Sequence, residues 1–239
     1  MWAMLVAAFL LLAFALYWLA FRNRPPVYVT LTTLPERITT KQFRDVVNSL
    51  QAQTVPAQLQ INIPWKVQGK SYEIPDWLSQ SAHIVRCLDV GPATKLLGGL
   101  DQLPTNSLVV VVDDDIIYRP QMLERLVRQW RKSPNAVCAN QVGEHREAMG
   151  FAGYLIAKPL LRGIEKLIMP PECRLVDDTW LSWAYRQLGL EIIQLPGEVW
   201  QEAADQTATD RHPNWKELGK DTEREKMIAS CQRRLEVEK

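Results

Sequence analysis

Two groups of adjacent carboxylates, Asp113-Asp114-Asp115 and Asp177-Asp178, are the residues of this 239-residue chain best suited by type and spacing to do chemistry. The first group directly follows Val109-Val110-Val111-Val112. A run of β-branched residues like this buries both faces of a strand, as in the middle of a parallel sheet, and ligands of open α/β sheets gather at the carboxyl ends of such strands. Three neighbouring carboxylates repel one another, so they coexist when solvated or when a hard divalent cation such as Mg²⁺ or Mn²⁺ neutralises them. A metal at a strand tip usually serves a phosphate. The second group opens a stretch in which Trp180, Leu181, Ala184 and Leu188 form an apolar stripe. Acids at a helix start can simply cap free N–H groups and complement the dipole. One acid of the pair suffices for that, so capping alone does not account for both.

The elements that must carry these groups follow from periodicity. Val27 to Leu31 reads as a strand, and a helix after Thr39 or Thr40 places Phe43, Val46, Val47 and Leu50 at i, i+3, i+4 and i+7. Leu59 to Ile63 and Ile84 to Leu88 are further strands, Gly91-Pro92 opens a short helix carrying Lys95, and Leu108 to Val112 is the strand that ends in the aspartates. Alternation of this kind predicts a mainly parallel sheet flanked by helices. Pro120 suits the first turn of a helix with Met122, Leu123, Leu126, Val127 and Trp130 on one face and Arg125, Arg128 and Arg131 on the other. Farther on, Ala136 to Asn140 reads as a strand, Gly150 to Ile156 contains a turn, and Pro159 to Ile168 reads as a helix. A last helix carries Met227, Ile228, Cys231 and Leu235.

Composition is that of a globular protein: 47% hydrophobic and 23% charged, enough for one large α/β domain. The net charge of +1, with bases scattered among acids, excludes a nucleic-acid surface. Trp2 to Phe21 has no charged residue and at helical rise spans about 30 Å, so residues 1–24 are expected to be a transmembrane anchor with a short linker and residues 25–239 the catalytic domain. Arg22 and Arg24 follow the span, and the positive-inside bias then predicts a single-pass protein with its domain in the cytoplasm, as at a bacterial inner membrane. A Golgi type II orientation is the alternative. Cys87, Cys138, Cys173 and Cys231 are widely spaced without a CxxC pair, and are expected to be reduced thiols.

Two phosphate chemistries other than sugar transfer place an aspartate at the tip of a strand. A P-loop would place its first glycine at position 64, which is Pro64, a residue without the N–H that wraps a phosphate. A phosphatase of the haloacid dehalogenase type would use Asp113 as nucleophile and Asp115 as acid, but its motif normally opens the domain, and here three strands precede it. The DDxxD pattern of polyprenyl synthases fails at Ile117.

Val27 to Arg37, Gly91-Pro92-Ala93-Thr94-Lys95-Leu96, Asp113-Asp114-Asp115 and Asp177-Asp178-Thr179-Trp180 together resemble the ordered blocks of GT-A nucleotide-sugar-dependent glycosyltransferases. The resemblance is to small single-domain members with a "DDD" form of the DXD motif, and covers residues 27 to about 195. It implies a GT-A-like, Rossmann-like α/β fold. It also implies hexosyl or deoxyhexosyl transfer from a nucleoside diphosphate donor to a glycan or lipid-linked acceptor, dependent on Mn²⁺ or Mg²⁺, in cell-surface polysaccharide assembly. A catalytically inactive, membrane-tethered binding module of the same fold is the alternative.

Laid on this chain, the resemblance implies that Thr33, Pro35 and Arg37 hold the base and ribose, with Arg37 within reach of the diphosphate. Lys95 would be a second cation near the phosphates; its plainer reading is a surface lysine. Asp113 and Asp114 would meet ribose or metal-bound water, and Asp115, with Asp113 and the late His212, would hold the metal. Such a cation acts as a Lewis acid on the leaving diphosphate. Asp178, or its neighbour Asp177, would deprotonate the acceptor in an inverting reaction. Gly153, Tyr154, Trp180 and Trp183 are the expected acceptor side, although Trp180 at helical spacing also reads as core.

Overall fold

The computed structural model describes residues 24–196, 201–203 and 221–237. The apolar span Trp2 to Phe21 and His212 lie outside them, and among the described residues no helix is long and apolar enough to cross a membrane.

Nine strands and six α-helices are described: β1 (Val27–Leu31), α1 (Lys41–Gln51), β2 (Gln58–Pro64), α2 (Asp76–Ser81), β3 (His83–Cys87), α3 (Thr94–Leu97), β4 (Leu108–Val111), β5 (Ile116–Tyr118), α4 (Met122–Lys132), β6 (Val137–Ala139), β7 (Tyr154–Ala157), α5 (Asp177–Gln187), β8 (Ile192–Gln194), β9 (Gln201–Ala203) and α6 (Asp221–Val237). Seven strands form one sheet in the order β3-β2-β1-β4-β7-β6-β8. The ladders from β3 to β4 are all parallel, as is β6 with β8, but β7 runs antiparallel to both β4 and β6. The sheet is therefore mostly parallel and mixed. A separate two-stranded ribbon pairs β5 with β9.

The valine run behaves as its composition demands. Leu108, Val110 and Val112 enter one apolar layer with α1 and α4, while Val109 and Val111 enter the other with α3, α5 and α6. Val109 to Val112 are all fully buried, each contributing roughly 1.5–3 kcal/mol of transfer free energy. Thr40 caps α1, its hydroxyl accepting from the Phe43 N–H at 3.2 Å, so the helix begins with Phe43, Val46, Val47 and Leu50 facing the core.

Two expectations fail. Residues Pro159 to Ile168 form not a helix but two short 3₁₀ turns, Lys158–Leu161 and Ile164–Lys166, divided by Gly163 in a left-handed conformation at φ 97°. Cys173 and Cys231 are joined in a disulfide, with Cα atoms 4.7 Å apart across a sequence separation of 58 residues; only Cys87 and Cys138 are free thiols. No spacing rule links positions so far apart, and packing of α6 against the 3₁₀ turn Pro171–Cys173 is what brings the sulfurs together.

Candidate active site

In chain order β1 leads to β2 on one side, while β4 lies on its other side, so the strand order reverses between β1 and β4. That reversal opens a crevice at the strands' carboxyl ends. Thr32, Thr33 and Leu34 from the loop after β1 and the three aspartates after β4 line a cleft of about 970 Å³ there. Asp177 and Asp178, at the start of α5, line the same cleft. The two carboxylate groups, separated by more than sixty positions in the chain, are thus one site.

Lys95 is what joins them. Its Nζ lies 2.5 Å from Asp113 Oδ1, 2.9 Å from Asp177 Oδ2 and 3.7 Å from Asp178 Oδ1, and the residue is only 3% exposed. This overturns the plainer reading of a surface lysine and places the amine in the lining of the cleft. Burial alone would lower the Lys95 pKa, but the three carboxylates outweigh it and raise the value well above normal, so the amine stays charged. Lys95 is held in turn by a buried amide pair that the sequence patterning hid. Asn62 Nδ2 donates to the carbonyls of Thr94 and Lys95, both at 3.0 Å, and Gln60 Nε2 donates to Gly99 O and Asn62 Oδ1, also at 3.0 Å. Gln60 and Asn62, alternating with Leu59, Ile61 and Ile63 inside β2, were the signal for this: a central strand buries such groups only when they have partners.

The other side of the aspartate run is gripped separately. Thr33 Oγ1 donates to Asp114 Oδ2 and Arg37 NH1 to Asp114 Oδ1, each at 2.6 Å, and the Tyr72 hydroxyl donates to Thr33 O at 2.7 Å. Arg37 is therefore committed to Asp114, with Asp115 Oδ2 at 3.5 Å. Leu34, not Pro35, lines the cleft. The Asp113 N–H donates to the buried Tyr118 hydroxyl at 3.0 Å, which fixes where the run leaves the strand.

Asp177 and Asp178 do not serve as caps: Val176 is the N-cap of α5 and no side chain caps it. Instead Asp178 Oδ1 accepts from the Gly150 N–H at 3.1 Å. A Cβ on Gly150 would lie 2.5 Å from Lys95 Nζ and 3.1 Å from both Asp113 Oδ1 and Asp178 Oδ1, so this position has no room for a side chain. Asp178 is pushed up to about 8, first by burial and then by Asp177 and Asp113, against the pull of Lys95 and the Gly150 N–H. Asp115 is pushed up to about 7 by burial, then by Asp114 and Asp113, with Arg37 and Lys95 opposing.

Five carboxylates thus surround two cations. A site with that balance repels a diphosphate until further positive charge arrives. Asp115 lies 3.5 Å from the Arg37 guanidinium, which is already bound to Asp114, and carboxylate oxygens of this kind suit Mn²⁺ or Mg²⁺. Among the described residues no three His, Cys, Asp or Glu side chains are grouped to hold a metal ion, so Asp115 and Asp113 supply carboxylate oxygens of the right chemistry but not a complete ligand set.

The expected acceptor residues fare differently. Trp180 is 1% and Trp183 8% exposed, packed in the core layer of α5, so neither ring offers a face to a sugar. Tyr154 is fully buried with its hydroxyl 2.9 Å from that of Tyr185, and Gly153, at φ 79°, makes the turn into β7 beside Met122, Val112 and Asn140. Residues not anticipated do line the cleft: Glu147, whose Oε1 accepts from Thr179 at 2.7 Å, and a group on α6.

No protein-family model matches the chain, and no curated protein sequence matches it. Solved structures do match. TarS 1-349 of S. aureus is 13% identical with a TM-score of 0.55 over 74% of this chain, which spans 60% of that one; the same protein has been solved with UDP and with UDP-GlcNAc. Glucosyl-3-phosphoglycerate synthase from Mycobacterium tuberculosis, in complex with Mn²⁺, UDP and glucosyl-3-phosphoglycerate, is 14% identical with a TM-score of 0.53 over 77% of this chain and 74% of its own. A 4-diphosphocytidyl-2C-methyl-D-erythritol synthase is 11% identical with a TM-score of 0.51 over 78% and 97%. Likeness at these identities is likeness of fold, and folds host more than one chemistry. On that footing the chain has the GT-A-type, Rossmann-like fold that its sequence blocks resemble.

Proposed function

We propose that the protein is a divalent-metal-dependent glycosyltransferase that moves a hexosyl or deoxyhexosyl group from a nucleoside diphosphate donor to a glycan or lipid-linked acceptor, with inversion, in cell-surface polysaccharide assembly. The observation that carries this reading is the meeting of the two carboxylate groups through Lys95 in a cleft at the topological switch point. The UDP and Mn²⁺ complexes of proteins with the same fold support it.

In this reading the loop Thr32, Thr33 and Leu34 receives base and ribose, with Asp114, oriented by Thr33 and Arg37, accepting from a ribose hydroxyl. Asp115 and Asp113, with His212 as the sequence resemblance implies, would hold the metal, which would supply positive charge to the departing diphosphate. Asp178 takes the proton of the acceptor hydroxyl. As it does so, the hydroxyl oxygen bonds to the anomeric carbon and the bond to the diphosphate oxygen breaks, its electron pair leaving with the phosphate. A base near pH 8 lies close to working pH, and Lys95 beside it limits how far burial raises it. Asp177, nearer to Lys95, orients that amine. Gly150 lets the backbone hold Asp178 without crowding it.

The span Trp2 to Phe21 would anchor the domain to a membrane. The Cys173–Cys231 disulfide favours an oxidising compartment, hence the Golgi type II alternative over the cytoplasmic orientation that Arg22 and Arg24 suggest. Alkylation of thiols in intact cells, followed by mass analysis, distinguishes the two: a blocked Cys173–Cys231 pair supports the former, and four alkylated cysteines the latter.

The reaction is tested with detergent-solubilised full-length protein and a panel of nucleotide sugars, with and without Mn²⁺. Metal-dependent donor turnover that Asp115→Ala abolishes is the expected result. No turnover together with no donor-dependent thermal shift would overturn the reading in favour of an inactive binding module.

A further inference from the structure

Burial of Tyr154, Trp180 and Trp183 removes the aromatic faces expected beside an acceptor, yet the cleft extends past the carboxylates to α6. Glu225, Ile228, Ala229 and Gln232 all line it, at the i, i+3, i+4 and i+7 spacing of one helix face, and Arg224 and Leu175 line it beside them. The neighbouring positions Cys231 and Leu235 are buried in the core layer.

This wall is fastened to the catalytic carboxylates. Cys231 is bonded to Cys173, and the four-residue segment Cys173-Arg174-Leu175-Val176 runs directly into Asp177. The far side of that segment is held as well. Arg174 NH2 lies 2.8 Å from Asp89 Oδ2, and Gly91 is a glycine at φ 70° because a Cβ there would collide with the Arg174 carbonyl. The disulfide therefore sets where α6 stands relative to Asp178.

The wall's chemistry selects among acceptors. Hydrogen-bonding side chains (Arg224, Glu225, Gln232) are interspersed with small or branched apolar ones (Ala229, Ile228, Leu175), which matches a sugar's hydroxyls and its C–H faces. Arg224 and Glu225 carry opposite charges side by side, so the wall offers no excess charge to a strongly anionic acceptor. Its apolar area is too interrupted for a lipid chain.

We propose that α6, held by the Cys173–Cys231 disulfide, is the acceptor wall of the cleft and recognises a neutral saccharide. The proposal rests on the glycosyl-transfer reading. The test uses full-length protein, the donor identified by the panel, and neutral p-nitrophenyl hexosides and N-acetylhexosaminides as acceptor probes. Binding of UDP with Mn²⁺ is measured in parallel by calorimetry. Ala229→Trp and Gln232→Ala should raise the acceptor KM at least tenfold and twofold respectively, and Cys231→Ser should act in the same direction, while UDP affinity changes less than twofold. Arg233→Trp, on the exposed side of the same helix, should change neither. The proposal is overturned by native acceptor KM in Ala229→Trp and Cys231→Ser, by loss of UDP affinity in proportion to transfer, or by a native protein that turns over donor yet glycosylates none of the neutral probes. Absence of any donor turnover would overturn the glycosyl-transfer reading first, and the acceptor wall with it.

Discussion

Replacing Lys95 with methionine isolates the interaction that unites the site. The side chain keeps its length and its fit to the helix, but Asp113, Asp177 and Asp178 lose a cation at 2.5, 2.9 and 3.7 Å. Breaking a buried ion pair from one side costs about 3–5 kcal/mol, because the remaining charge is left uncompensated. In a domain of this size 1 kcal/mol moves the melting temperature by about 2–4 °C, so a fall of roughly 6–20 °C is expected near pH 8. The pH dependence gives the sharper check. Asp177 and Asp178 already titrate above their ordinary value because of burial, and Lys95 restrains that rise. Without it their folded-state pKa values climb further. A carboxyl group with a raised folded pKa contributes stability at pH values below its unfolded pKa, and that contribution is lost as pH rises through the folded value. The deficit of Lys95→Met should therefore be small near pH 5 and large near pH 8, by about 2 kcal/mol or more in urea denaturation of the metal-free protein. Equal deficits at the two pH values, or a deficit below about 1 kcal/mol at pH 8, would refute the argument that Lys95 neutralises the acid cluster.

Further outcomes follow from the same geometry. The Asp115 rise from 3.8 to about 7 corresponds to an upper bound of about 4 kcal/mol of stability, present at low pH and lost as pH climbs through 7. Metal-free protein should accordingly melt lower at pH 8 than at pH 5, Mn²⁺ should restore it, and Asp115→Asn should flatten the pH dependence and lose the Mn²⁺ response. Gly150→Ala forces a methyl group against Lys95 Nζ; a cost of about 1–3 kcal/mol and at least a hundredfold drop in donor turnover are expected by calorimetry and kinetics. Asn62→Leu leaves the Thr94 and Lys95 carbonyls without their donor, at about 2–4 kcal/mol in denaturant titration. Trp183→Phe should lower stability by about 1–2 kcal/mol while leaving the acceptor KM unchanged, since the ring belongs to the core; a raised KM with native stability would restore it to the acceptor side.

What was legible in the chain is what short-range pattern encodes. Val109 to Val112 had to be a central strand because four β-branched residues need two buried faces, and the aspartates after it had to lie at the sheet's carboxyl edge. β1, β2, β3 and α1 could be read for the same reason: their apolar residues repeat with the period of the element that buries them. The GT-A-like blocks were visible as blocks. Tertiary structure alone decided how they meet. Lys95 reads equally as a cation near the phosphates or as a surface residue on its short helix until Asn62 and Gln60 hold that helix beneath three carboxylates. Trp180, Trp183 and Tyr154 read equally as a sugar platform or as core, and the packing of α5 on the reversed strand β7 settled it. The Cys173–Cys231 bond joins positions that no spacing rule connects. Local periodicity specifies which face of an element is buried; which distant charges share one low-dielectric pocket depends on where whole elements dock, and that is fixed only when the core closes.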